Sequence, residues 1–165
     1  MAADDEIQIV VFRVGTQEFA LDIFQIERIL RYEKPSRVPQ APDYLEGVIS
    51  WGDRVVPVVD LRKRLEVHAE LSEDVRIMVL ILDEDRIGIL VDQVVEVLRV
   101  DSTSIAAPPP LVRGLAAEFI SGIVNRPDRT IVMLNAGRLL NSQERAALTW
   151  FDAPNLTPGA GESRS

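Results

Sequence analysis

The chain writes nearly the same pattern twice, so any fold it adopts has to accommodate two copies of one unit. Residues 9–31 (IVVFRVGTQEFALDIFQIERILR) lie over residues 77–99 (IMVLILDEDRIGILVDQVVEVLR) without a gap, 68 positions further on. Ile9/Ile77, Val11/Val79, Gln25/Gln93, Leu30/Leu98 and Arg31/Arg99 are identical, and almost every apolar position stays apolar. Residues 46–65 then lie over residues 121–140 at a spacing of 75, where Gly47/Gly122, Asp53/Asp128, Arg54/Arg129 and Leu65/Leu140 coincide. One insertion between Leu30 and Gly122 reconciles the two spacings. A repeat establishes a duplicated fold and no function by itself. Two β-rich copies without an obvious reactive group do, however, suggest a protein built from surfaces rather than around an active site.

Each copy opens with an apolar run closed by a polar turn, Gly15-Thr16-Gln17-Glu18 in the first and Asp83-Glu84-Asp85-Arg86 in the second. That is strand, tight turn, strand. The apolar spacing then lengthens to three and four residues at Ile23, Ile26 and Leu30, and at Val91, Val94 and Leu98. Those steps fit one helix face, so each copy reads as a hairpin followed by a short helix or an extended crossover, and in the second copy, where β-branched residues are denser, the sequence does not separate the two. Proline-bearing connections follow, with Pro35, Pro39 and Pro42 in one copy and Pro108, Pro109 and Pro110 in the other, and prolines hold a chain extended. A second hairpin closes each copy, turning at Trp51-Gly52-Asp53-Arg54 and at Arg126-Pro127-Asp128-Arg129. Pro57 has no amide hydrogen, which predicts an edge or bulged strand there. Leu61 to Leu65 has room for one helical turn. Asn141 or Ser142 would cap a C-terminal helix over 141–150, with Glu144 in its first turn. The expected organisation is therefore a single domain over 7–150. A first barrel covers about 7–67, a second 75–140, and residues 1–6 and 153–165 form disordered tails.

Composition excludes several classes. Apolar residues make up 47 % and charged residues 27 %, the balance of a soluble globular protein. A net charge of −8 opposes nucleic-acid binding, which needs Lys and Arg to displace phosphate counterions, and it also opposes an anionic membrane surface. Without cysteine there is no disulfide framework, thiolate nucleophile or Cys-ligated metal. The acidic start and the lack of any apolar run near the ~20 residues that span a bilayer predict a cytoplasmic protein without direct membrane insertion.

The candidate chemistry is sparse. His68 is the only histidine and sits in a polar connector with no orienting partner at a suggestive spacing, so a solvent-facing linker residue is expected. Asp22, Asp60, Asp83, Asp85, Asp92 and Asp101 lie mostly at strand ends or turns, where Asp satisfies local backbone amides. The glycines are scattered without a phosphate-cradling motif, and Gly47 and Gly122 read as a tight bend or a close backbone approach. No catalytic residue, cofactor or metal is expected. A small-ligand or hydrolytic barrel working in a cleft between the halves is the alternative. Trp51 in a turn gains little from core burial and reads as an interface aromatic, against the option that it folds back over its own hairpin.

In order along the chain, FRVGTQEFALDIFQIERILRYE, RVPQAPDYLEGVI, VVPVVDLRKRL, RIGILVDQVVEVL, EFISGI and LLNSQERAAL resemble the CheW family of chemotaxis coupling proteins. The match covers nearly all of residues 7–148; the series carries it, since no single motif is very specific. The resemblance implies mainly β architecture, with two SH3-like five-stranded barrels around a shared interior. It implies a non-enzymatic scaffold joining the cytoplasmic tip of a chemoreceptor to the regulatory domain of a CheA-type histidine kinase, monomeric outside the array. It also implies that Ile26, Gly47, Val94 and Val97 lie at or near a receptor-binding groove, although by residue type Ile26, Val94 and Val97 fit a core equally well. One departure stands out: family members usually read Asn-Leu-Arg-Gly where this chain has Ser50, Trp51, Gly52 and Asp53, followed by Arg54. That loop faces partners in the family, so the change points to an accessory or pathway-specific coupler.

Overall fold

Residues 6–67, 72–108, 118–141 and Glu144 are described in the structure, a computed structural model. Among these residues, ten strands form two five-stranded sheets of identical plan. The first copy supplies β1 (Glu6–Val14), β2 (Gln17–Asp22), β3 (Ile26–Arg31), β4 (Leu45–Trp51) and β5 (Arg54–Asp60), then helix α1 (Leu61–Leu65). The second supplies β6 (Arg76–Leu82), β7 (Asp85–Val91), β8 (Gln93–Asp101), β9 (Ile120–Arg126) and β10 (Arg129–Leu134). All four hairpins turn through two residues, as their polar turn sequences predict.

The strand orders are β8-β1-β2-β10-β9 and β3-β6-β7-β5-β4. Each copy's first hairpin is therefore embedded among the last three strands of the other copy. The barrel boundaries expected at 7–67 and 75–140 are corrected by this exchange: each SH3-like barrel is built from both halves. The chain changes sheet just after its first hairpin, where Asp22 caps a short 3₁₀ turn over Ile23–Gln25 and a bend at Asp92 does the same in the second copy. The parallel pairings β2–β10 and β7–β5 join each exchanged hairpin to the other copy's last hairpin and follow from that crossing.

Exchange explains why the first hairpins read as unbroken apolar runs. Ile9, Val11 and Ala20 fill the interior of one barrel with Val100, Val124, Ile131 and Met133. The other barrel is filled by Ile49, Val56, Val58, Val75, Ile77 and Leu90. The alternate residues Val10, Phe12, Val14, Phe19 and Leu21 meet Met78, Leu80, Leu82, Ile87, Ile89 and Val91 in the largest cluster, the seam between barrels. Both faces of these strands are buried, so period-two alternation is lost. Phe12 and Phe19 stack at the seam with ring centroids 6.2 Å apart. Truncating a ring of this kind costs about 3–5 kcal/mol.

Three local expectations change. The stretch at Ile26 and Leu30 is strand and not helix: β3 pairs with β6 along its length, and β8 pairs with β1. Glu6 is not part of a disordered tail but the first residue of β1, opposite Asp101. Pro57 lies in an inner strand, not an edge, although the β4–β5 ladder is irregular next to it, between Leu45 and Gly47. Its missing donor is harmless because Val48, its partner in β4, turns both backbone groups outward to Ser36 (2.8 and 2.9 Å), making Val48–Pro57 a non-hydrogen-bonded pair. The nitrogen of Pro57 then faces β7, whose ladder begins only at Val58.

The end of the second copy is tied to helix α1 of the first copy. Asn141 and Glu144 form a capping box, each side chain accepting from the other's amide at 2.8 Å. Arg64 of α1 reaches across, donating to the Leu139 carbonyl (2.8 Å) and the Glu144 carboxylate (2.5 Å). Its guanidinium lies over the rings of Tyr44 and Phe119. The rest of the predicted helix, 145–150, and His68, Pro109 and Pro110 lie outside the described residues.

Candidate partner-binding surfaces

Four of the six carboxylates singled out in the sequence, Asp22, Asp60, Asp92 and Asp101, accept from backbone amides. Asp22, Asp60 and Asp101 each accept the amide two residues on, from Phe24 (2.9 Å), Arg62 (3.0 Å) and Thr103 (3.0 Å). The bonds from the Thr103 hydroxyl and amide hold the Asp101 carboxyl below its ordinary value. Fully buried Asp60 also receives the Arg62 side chain at 2.7 Å, and its counterpart Asn135 caps the matching turn of the other barrel. Asp92 accepts from the Gly15 amide at 2.5 Å. These contacts are turn and cap chemistry and not a converging acid–base pair.

Gly47 is buried, and its place is explained by backbone approach. Its φ is +148°, and a Cβ there would stand 2.2 Å from the Ser36 carbonyl oxygen. Gly122 makes the same approach beneath Ile105 and Ala106. These contacts let the proline-bearing segments bridge onto β4 and β9 through Ser36–Val48 and Ala106–Ile123. Gly47 therefore shapes the base of the β4–β5 hairpin and offers no side chain to a partner.

Ile26 and Val94, equivalent in the repeat, pack half-buried against the seam cluster. Val97 is 51 % exposed on the outermost strand β8, opposite the seam residue Val10. Its repeat equivalent, Ile29, is 41 % exposed on the outermost strand β3, opposite the seam residue Met78. The two barrels thus present matched apolar pairs, Ile26/Ile29 and Val94/Val97, at the rim of the shared core. Ile29 was missed in the sequence, although subtracting 68 from Val97 points straight to it. Phe24 was missed too. It is 85 % exposed on the 3₁₀ turn and stands where the second copy has Asp92.

The β4–β5 hairpin is a separate surface. Ser50, Gly52 and Asp53 are exposed, with Gly52 at a φ of +64° and nothing within 4 Å of a would-be Cβ. Trp51 is the last residue of β4, paired with Arg54, and not a turn residue. Trp51 is half-buried and packs, as Leu30 does, against the barrel interior, and the Arg28 guanidinium lies 5.6 Å from its ring centroid. The indole is therefore held by its own barrel and shows a partial face beside cationic Arg28. Arg28 carries no signal in the sequence, because the contact spans β3 and β4.

Comparison with known proteins agrees with this architecture. A model described as "CheW-like domain" matches residues 8–144. A protein named "Chemotaxis protein CheW" from Bacillus subtilis is 31 % identical over 137 residues, covering 82 % of this chain and 88 % of that one. Protein FrzA of Myxococcus xanthus is 28 % identical over 149 residues, covering 88 % and 92 %. Among solved structures, the scaffolding protein TtCheW from Thermoanaerobacter tengcongensis superposes with a TM-score of 0.78 at 30 % identity, covering 84 % of this chain and 90 % of that one. With matched barrels, an exchanged hairpin plan and a family model spanning nearly all described residues, the chain belongs to the CheW-like domain family of non-enzymatic scaffold proteins.

Proposed function

We propose that this protein is a stoichiometric adaptor that couples the cytoplasmic tip of a chemoreceptor to the regulatory domain of a CheA-type histidine kinase in the cytoplasm. The observation that carries the proposal is the doubled apolar rim. Ile26/Ile29 and Val94/Val97 flank the seam on two outermost strands, a placement suited to receiving a helical hairpin between barrels. Phe24 extends the apolar surface on the β3 side. The β4–β5 hairpin, with Ser50, Trp51, Gly52, Asp53 and Arg54, is a second face for the kinase domain or a neighbouring barrel, and Gly47 fixes its base. Holding receptor and kinase together lets a receptor change bias kinase conformation, so no bond is made or broken by the adaptor itself. Single contacts of this size are modest, and tight association comes from the array; outside it the adaptor is monomeric.

The unusual hairpin supports a pathway-specific coupler. The arginine usual in the family is replaced by Gly52, beside Asp53, and the cation stacked on Trp51, Arg28, comes from another strand. The test is retention of receptor cytoplasmic fragments and of an isolated kinase regulatory domain on the immobilised protein. Val97→Glu and Ile29→Glu are expected to lose the receptor and keep the kinase domain, whereas Asp53→Arg changes kinase-domain binding alone. If wild type retains neither partner, the adaptor reading fails. Normal affinity for general chemotaxis receptors would remove the pathway-specific part only.

A further inference from the structure

We propose that the cleft where β3 and β6 end is a docking site for an acidic segment of a protein partner, with Arg31 and Arg76 as its paired carboxylate receptors. The two arginines stand directly opposite each other in the β3–β6 ladder. Like charges in that relation work against strand pairing. The other barrel avoids this arrangement: its equivalent pair is Gln8 opposite Arg99. A second cation has thus been placed in one copy only, where it opposes pairing in the uncomplexed protein.

The two guanidinium groups are poised to bind. Arg76 is held through one terminal nitrogen, Nη1, which donates to the carbonyls of Asp74 (3.2 Å) and Val75 (3.0 Å). Its other N–H groups have no partner among the described residues and can make a forked contact. The Arg31 side chain is exposed and makes no hydrogen bond or ion pair among the described residues. Together with Tyr32, Ser72, Glu73 and Val75 they line an open cleft of about 550 Å³. That volume is far larger than a lone phosphate needs, and the half-exposed Tyr32 ring gives it an apolar wall, so a short peptide segment fits it better than a small ion. The Ser72 hydroxyl is already engaged, donating to the Asp92 carbonyl and accepting from the Asp74 amide, and fastens the cleft floor to the bend after β7. Glu73 on the rim pairs with neither arginine at ion-pair distance among the described residues, and the lining stays net positive. On a chain of net charge −8, acidic groups are held here by local forked geometry and not by an overall attractive field.

The experiment is a titration of the full chain, followed by NMR of backbone amides and arginine Nε–H groups, with hexaglutamate and in parallel with inorganic phosphate. Saturable shifts at Arg31, Tyr32 and Arg76 with hexaglutamate are expected. The double variant Arg31→Gln/Arg76→Gln should weaken that binding by about three- to tenfold, the combined scale of two partly exposed ion pairs. Arg76→Gln alone should melt at or above the wild-type temperature, showing that the fold is intact. Three results would overturn the proposal: no shift at these residues, shifts unchanged in the double variant, or saturation of the same residues by phosphate but not by the peptide.

Discussion

Gly47→Ala tests the geometry on which the proposed partner face at the β4–β5 hairpin depends. The new methyl would lie 2.2 Å from the Ser36 oxygen, 2.7 Å from its carbonyl carbon and 3.0 Å from the Pro35 Cβ. Backbone on both sides has to move, since no flexible side-chain end can yield. The Ser36–Val48 hydrogen bonds at 2.8 and 2.9 Å are the first to break. Losing both removes about 2 kcal/mol. Forcing a side chain into φ +148° adds about 1–3 kcal/mol of strain. The expected destabilisation is therefore about 3–5 kcal/mol, a large part of the ~5–15 kcal/mol typical of a domain. Gly52→Ala is the internal control. It also has positive φ but open space, and should cost only about 1–2 kcal/mol. Urea unfolding followed by far-UV circular dichroism measures both. If Gly47→Ala costs no more than Gly52→Ala, the close approach of the proline segment is not what Gly47 is there for.

Arg64→Ala should lower stability by about 2 kcal/mol through loss of its charged hydrogen bonds, and Arg64→Lys should recover less than half, because lysine cannot serve the Leu139 carbonyl and Glu144 together; thermal unfolding reads both. Asp60→Ala should cost about 1–3 kcal/mol by removing a buried cap, whereas Asp60→Asn should be milder, since Asn135 does the same work in the equivalent turn. Burial and then the Glu144 charge raise the Tyr44 pKa, with Arg64 opposing them. A raised folded value means that the stabilisation is complete below the unfolded value near 10 and is lost as pH rises through the folded one. Unfolding free energy of wild type should fall more steeply above about pH 10 than that of Tyr44→Phe, and equal slopes would contradict the assignment.

Much of this fold is legible before any coordinates. The doubled pattern, the four two-residue turns and the cap at Asn141 all depend on near neighbours in the chain, which is the information a sequence carries most directly. The hairpin exchange does not. The β1–β2 and β6–β7 hairpins are so alike that either could complete either barrel, and the choice is made by where the chain crosses at Asp22 and Asp92. The helical spacing at Ile23, Ile26 and Leu30 misleads for a related reason: its three-residue step crosses the 3₁₀ turn over Ile23–Gln25, and its four-residue step runs through a bulge between Ile26 and Arg28 inside β3. Asp22, Asp60 and Asp101 were readable as caps because each bonds two residues ahead. Trp51 was misplaced by one position, which turns a presumed turn residue into the half-buried end of β4. Ile29 was within reach through the repeat, while Arg28 beside Trp51 and Arg31 opposite Arg76 required strand pairing to be known.

The central claim is that two distinct faces of a chemically inert double barrel are occupied at once. Sedimentation velocity on a mixture of the protein, a receptor cytoplasmic fragment and a kinase regulatory domain measures this directly. The account predicts one boundary containing all three components, reduced to a protein–kinase pair by Val97→Glu with Ile29→Glu. Mutually exclusive binary complexes, or a receptor–kinase species that forms equally well without the protein, would contradict it.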